Sequence, residues 1–137
     1  MTILAIDHGT NHIGIALSDP DNIVARPLDV YTHTSGKKDA ARIVATAQTK
    51  EASLILLGTP TNSTGEKVRT STRINRFAST LQNHTVIPVL LWDESGSTVR
   101  AHQILATYKQ RKKPSHISIH SIAAAVILQD YLDAHAN

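Results

Sequence analysis

Two short aliphatic runs near the amino terminus, Ile3–Ile6 and Ile13–Leu17, set the frame for the whole chain. Each is too short for a helix. The first stops at Asp7-His8-Gly9-Thr10, a turn-forming sequence, so the pair is expected to form a hairpin of buried strands. Ile23–Tyr31 reads as a third strand. Pro27 restricts it to an edge or bulged position, because proline has no N–H to donate.

Beyond that point the pattern alternates. A helix is expected from about Lys38 to Lys50, with Ile43, Val44 and Ala47 on one face. Leu54–Leu57 is a buried strand that ends at Gly58-Thr59-Pro60. A polar loop, Thr61–Gly65, leads to a helix whose apolar face is Ile74, Phe77, Ala78 and Leu81. Val86–Trp92 is the next strand and Ser97–Tyr108 the next helix. The basic connection Lys109–Pro114 precedes a last helix from about His116 to Ala134, with the stripe Ile119, Ile122, Ala123, Val126, Ile127 and Tyr131. An antiparallel meander followed by alternating helices and strands predicts an α/β fold, a mixed sheet covered on both faces.

A length of 137 residues suits one domain spanning 1–137. With one Trp, one Phe and three Tyr, aliphatic side chains must build the core. The absence of cysteine excludes disulfides, thiolate metal sites and cysteine nucleophiles. A formal charge of +3 suits an anionic partner, though only weakly. Asp7 interrupts the first apolar run before it could serve as a signal peptide. Val86–Trp92 and Ile122–Leu128 are too short to span a bilayer, so no membrane partner and a cytoplasmic location are expected.

Acidic residues close two of the strands. Asp7 ends the first and Asp93-Glu94 ends the last. Ligands of open sheets gather beyond strand ends. If these two strands are parallel neighbours, their carboxylates converge on one rim. Clustered carboxylates repel one another unless a cation such as Mg²⁺ or Mn²⁺ holds them. Such ions support phosphodiester hydrolysis. The plainer alternative is that each acid is solvated or caps a helix. The Asp7-His8-Gly9-Thr10 turn also resembles the first phosphate loop of actin-like and sugar-kinase ATPases, which need two such domains.

Taken in order, the motifs resemble a known family nearly end to end: the YqgF/RuvX Holliday junction resolvases, also described as pre-16S rRNA nucleases. Leu4-Ala5-Ile6-Asp7-His8-Gly9-Thr10 and Ile13-Gly14-Ile15-Ala16-Leu17-Ser18-Asp19 resemble its opening hairpin. Arg26-Pro27-Leu28 fits its third strand, and Gly58-Thr59-Pro60-Thr61-Asn62 with Gly65 its glycine-proline-asparagine loop. Phe77-Ala78, Asp93-Glu94 with Thr98, and Ile122-Ala123-Ala124 through Leu132 complete the match.

The resemblance implies a ribonuclease-H-like fold with a five-stranded mixed sheet, and a metal-dependent endonuclease. It places the catalytic and metal-holding positions on Asp7, Glu94 (with Asp93 beside it) and the start of the last helix. There the chain departs from the family, with His120 where aspartate is usual. Ser95 replaces an arginine, and His12 stands where lysine or arginine is common. His120 would act as a metal ligand or a proton shuttle, or else bond locally in a site that has lost its metal. As a ligand it favours Mn²⁺ over Mg²⁺.

Lys109, Arg111, Lys112 and Lys113 crowd one loop, and Lys67, Arg69, Arg73 and Arg76 populate the start and exposed side of the Phe77 helix; a merely solvated basic surface is the plainer alternative for either cluster alone. Both clusters are candidates for phosphate contacts, as are Asn62 and Thr64. The expected partner is pre-rRNA or branched DNA, and cutting two strands is compatible with a homodimer. A catalytically weak nucleic-acid-binding protein on the same fold is the alternative. The remaining histidines show no metal-binding spacing, and the side chains of Asp7 and His8 are expected to point apart.

Overall fold

A computed structural model describes residues 1–59, 67–93, 103, 106 and 118–136. The strands are β1 (Thr2–His8), β2 (His12–Ser18), β3 (Ala25–Thr32), β4 (Ala52–Thr59) and β5 (Val89–Asp93). The described helices are α1 (Gly36–Thr49), α2 (Lys67–Gln82) and α3 (Ile119–Ala134). The sheet order is β3-β2-β1-β4-β5. β1 pairs antiparallel with β2, β2 antiparallel with β3, and β4 lies parallel to both β1 and β5. This is the mixed five-stranded sheet implied by the order of the elements.

Strand alternation sorts the side chains onto two faces. Leu4, Ile6, Ile13, Ile15, Ile55 and Leu57 form one face and pack under Ile43, Val44 and Ala47 of α1 and Ile74, Phe77 and Leu81 of α2. Ile3, Ala5, Ala16 and Leu56 form the other and pack under Ala124, Ala125, Ile127, Leu128 and Leu132 of α3. Helices therefore cover both faces.

α1 starts at Ser35, whose hydroxyl accepts from the Lys38 amide at 3.3 Å. α3 starts at Ser118, where a capping box operates. The Ser118 hydroxyl accepts from His120 N and Ser121 N, and the Ser121 hydroxyl accepts from Ser118 N at 2.9 Å. Two buried polar residues tie α3 to the sheet. Gln129 accepts from Ala25 N at 2.9 Å and donates to Ile23 O at 3.0 Å. Asp130 accepts from the Trp92 indole at 3.0 Å.

Pro27 lies on an edge strand beside a bulge: Ile15 pairs with Asp29 and Ala16 with Pro27, which leaves Leu28 as the extra residue. Three boundaries differ from the sequence reading. Ile23 precedes β3, because Asp19 Oδ1 accepts from Ile23 N and Val24 N and closes a turn there. β5 starts at Val89 rather than Val86. The Gln82 amide donates to Thr85 O and Ile87 O and accepts from Val89 N, holding 85–88 as a bend in which Val86 is 99% exposed. Ile119 is not part of the buried stripe but 63% exposed, since it is the first residue of α3. The helix expected over 97–108 lies outside the described residues except for Gln103 and Ala106, both helical.

Candidate active site

β1 delivers Asp7 to the rim of the sheet, where it pairs in register with Gly14 of β2. Gly14 has no side chain, and α3 exploits this. A Cβ at Gly14 would lie 1.9 Å from His120 O and 2.8 Å from Ser121 N. The first turn of α3 therefore sits directly on β2, beside Asp7. The His120 ring stacks on the His12 ring at 4.7 Å between centroids, 13° from parallel. A hairpin and a helix more than a hundred residues apart in sequence thus bring Asp7, His12 and His120 together.

The electrostatics follow from this placement. Burial raises the Asp7 pKa above the usual carboxylate value, while the charges of His120 and Arg73 pull it back down. Among the described residues nothing donates a hydrogen bond to its carboxylate. A partly buried carboxylate with no donor among these residues, next to an imidazole, is a donor set that fits a divalent cation. Asp7 offers carboxylate oxygen and His120 imidazole nitrogen, a mixed set that suits Mn²⁺ better than Mg²⁺.

The acidic end of β5 stands further off than adjacency would give. β4 separates β1 from β5, so their axes are roughly 10 Å apart. Asp93 pairs with Thr59, one step beyond Gly58 and Trp92. Glu94 and Ser95 lie outside the described residues, as do Asn62, Thr64, Lys109, Arg111, Lys112 and Lys113. Lys67 and Arg69 are described only as part of the α2 backbone.

Arg73 is not on the open side of α2 but half-buried. Its Nη2 donates to His8 O at 3.0 Å, and its Nη1 is buried with no partner among the described residues. Arg76 is exposed and, with Arg73, lines a cavity of about 350 Å³ that also carries His8, Thr10 and Phe77.

His8 points away from Asp7, as expected, and stacks on Phe77 at 4.2 Å. Burial, then Arg73 and His33, lower its pKa to about 4, so the ring is neutral. One histidine expectation fails. His8 and His33 do converge, together with Asp39, so that one ligand atom from each lies within 4.8 Å of the others. The signal available beforehand was alternation. Leu4, Ile6 and His8 share a core-facing row, and a histidine there stands out. Nothing in the spacing of His33 and Asp39 reveals that they meet it.

A family model described as RuvX, Holliday junction resolvase, matches residues 1–134. The protein named "Putative pre-16S rRNA nuclease" of Chloroflexus aurantiacus is 36% identical over 132 residues, covering 96% of this chain and 86% of that protein. Its namesake from Thermoanaerobacter pseudethanolicus is 34% identical over 140 residues, covering 100% of this chain and 99% of its own. Among solved structures, T. thermophilus RuvC in complex with a Holliday junction substrate aligns with a TM-score of 0.65 at 15% identity, covering 98% of this chain and 94% of that chain. The last match is a likeness of fold, and that fold is the ribonuclease-H-like one. No helix among the described residues is long and apolar enough to cross a membrane.

Proposed function

The chain belongs to the RuvX family of Holliday junction resolvases, and from that membership we propose that it hydrolyses phosphodiester bonds in structured nucleic acid, at the rim where Asp7 meets His120. The observation that carries this reading is the Asp7 carboxylate, partly buried and with no donor among the described residues, beside the first turn of α3. Pre-rRNA and branched DNA, met in the cytoplasm, are the substrates in view. Two copies of the chain would make the paired cuts that a junction requires.

Asp7, His120 and the acidic pair at 93–94 would hold the divalent ion, Mn²⁺ or Mg²⁺. When bound, the ion would supply the charge that makes water a nucleophile and neutralises the phosphate. Asp7 gives the anchoring charge from a rigid strand. His120 is oriented by its stack on His12 and by the Ser118 cap, so its ring can ligate or pass a proton to the leaving oxygen. Lys109, Arg111, Lys112, Lys113, Arg69 and Asn62 would position the sugar–phosphate chain without reading bases, and Arg73, held against His8 O, would add positive charge near Asp7.

The test is cleavage of four-way DNA junctions and of a 16S rRNA precursor with Mn²⁺, with Mg²⁺ and with chelator. Metal-dependent cutting that Asp7→Asn abolishes is the expected result. Mn²⁺ should outperform Mg²⁺, and His120→Asp should restore activity with Mg²⁺. Salt-sensitive binding without cutting would replace the enzyme with a binding protein on the same fold.

A further inference from the structure

On the opposite face of β1 from Asp7, three side chains close on a point that the rim chemistry does not use. His8 is 7% exposed, and both of its ring nitrogens are buried with no hydrogen-bond partner among the described residues. Its ring is fixed by the stack on Phe77 and meets the His33 ring edge-on at 5.7 Å. His33 Nδ1 contacts Asp39 Oδ2. The other carboxylate oxygen of Asp39 is already occupied. It accepts from Thr34 N at 3.1 Å and from Thr34 Oγ1 at 2.9 Å.

We propose that His8, His33 and Asp39 form a binding site for a divalent transition ion of the zinc type, separate from the acidic rim, which fastens the β3–α1 connection to the end of β1. Two imidazoles and one carboxylate are a donor set that zinc accepts, with a fourth position left open. An ion takes the place of the contact between His33 and Asp39, and it gives His8 a partner that no described residue supplies. The Thr34 bonds to Asp39 are the outer-shell support that ligating carboxylates have. His8 comes from a strand, His33 follows β3 and Asp39 lies in the first turn of α1, so the ion would bridge three elements. The open position faces a cavity of about 350 Å³ that also carries Thr10, Arg73 and Arg76. That wall is cationic and suits a water, a chloride or a phosphate oxygen as the fourth ligand.

The experiment uses the full chain, stripped with chelator, in the Asp7→Asn background, which removes the anchoring carboxylate of the rim. Zinc chloride is titrated by calorimetry and cobalt(II) chloride by visible absorption. One zinc per chain is expected, along with cobalt d–d bands. His33→Ala, a substitution at a side chain that is 35% exposed, should weaken zinc by more than roughly 100-fold, beyond the loss of an outer-shell partner. It should also abolish the cobalt bands. His8→Phe, which keeps the stack on Phe77, should do the same, and circular dichroism checks that each variant is folded. Absence of zinc binding in Asp7→Asn, or an unchanged affinity in His33→Ala, overturns the proposal. So does inorganic phosphate binding this cavity in chelator with no effect of zinc. None of these readouts involves cleavage, so the outcome is independent of whether the rim is a nuclease.

Discussion

Gly14→Ala adds one methyl group at the place where β2 and α3 touch. The new Cβ would stand 1.9 Å from His120 O and 2.2 Å from His120 C, against ordinary contact of 3.4 Å or more. The shortfall is about 1.5 Å, and the atoms met are backbone, which cannot rotate aside. Either α3 retreats at its first turn or β2 buckles. Overpacking costs about 1–3 kcal/mol, and a backbone collision belongs at the upper end, about 3 kcal/mol. The functional cost should be larger, because His120 is the residue displaced. A misplacement of about 1 Å can remove roughly 100-fold in rate.

Gly36→Ala is the control. A Cβ there meets nothing within 4 Å, and Gly36 opens α1, on the opposite face of the sheet from α3. Urea unfolding measures stability, and single-turnover cleavage of a four-way junction, under conditions where each variant is folded, measures function. Gly14→Ala should lose about 3 kcal/mol and about 100-fold in cleavage, while Gly36→Ala should keep cleavage within a few-fold of the parent. If Gly14→Ala cuts as well as Gly36→Ala does, the seating of α3 on β2 does not set the site.

Two further outcomes follow from the electrostatics. The raised pKa of Asp7, caused first by burial, means that the ionised carboxylate opposes folding at neutral pH without metal. Asp7→Asn should therefore raise the melting temperature while abolishing cleavage, and a lower melting temperature would refute this account. His8 has its folded pKa lowered from 6.5 to about 4. The unfolded chain then takes up the proton first, so stability is complete above about pH 6.5 and declines as the pH falls toward 4. The loss is at most about 3 kcal/mol, and less where water screens Arg73 and His33. Urea titrations in chelator at pH 7.5 and 4.5 should show this slope, and His8→Phe should flatten it. A slope unchanged in His8→Phe would assign it to other groups.

What the sequence determined by itself is local or periodic. Runs such as Ile3–Ile6 and Leu54–Leu57 read as buried strands, and Ile74-Phe77-Ala78-Leu81 as one helical face, because side-chain spacing along the chain reports the period of the backbone. Pro27 marked an edge and a bulge through its missing N–H. Asp7 was legible as an acid at a strand end, with His8 on the reverse side. Tertiary structure alone decided the rest. It set β4 between β1 and β5, pressed α3 onto Gly14 so that His120 stands beside Asp7, and gathered His8, His33 and Asp39 under Phe77. These are contacts between separate elements, set by how two sheet faces choose the helices that cover them, and no periodicity along a single segment encodes that choice.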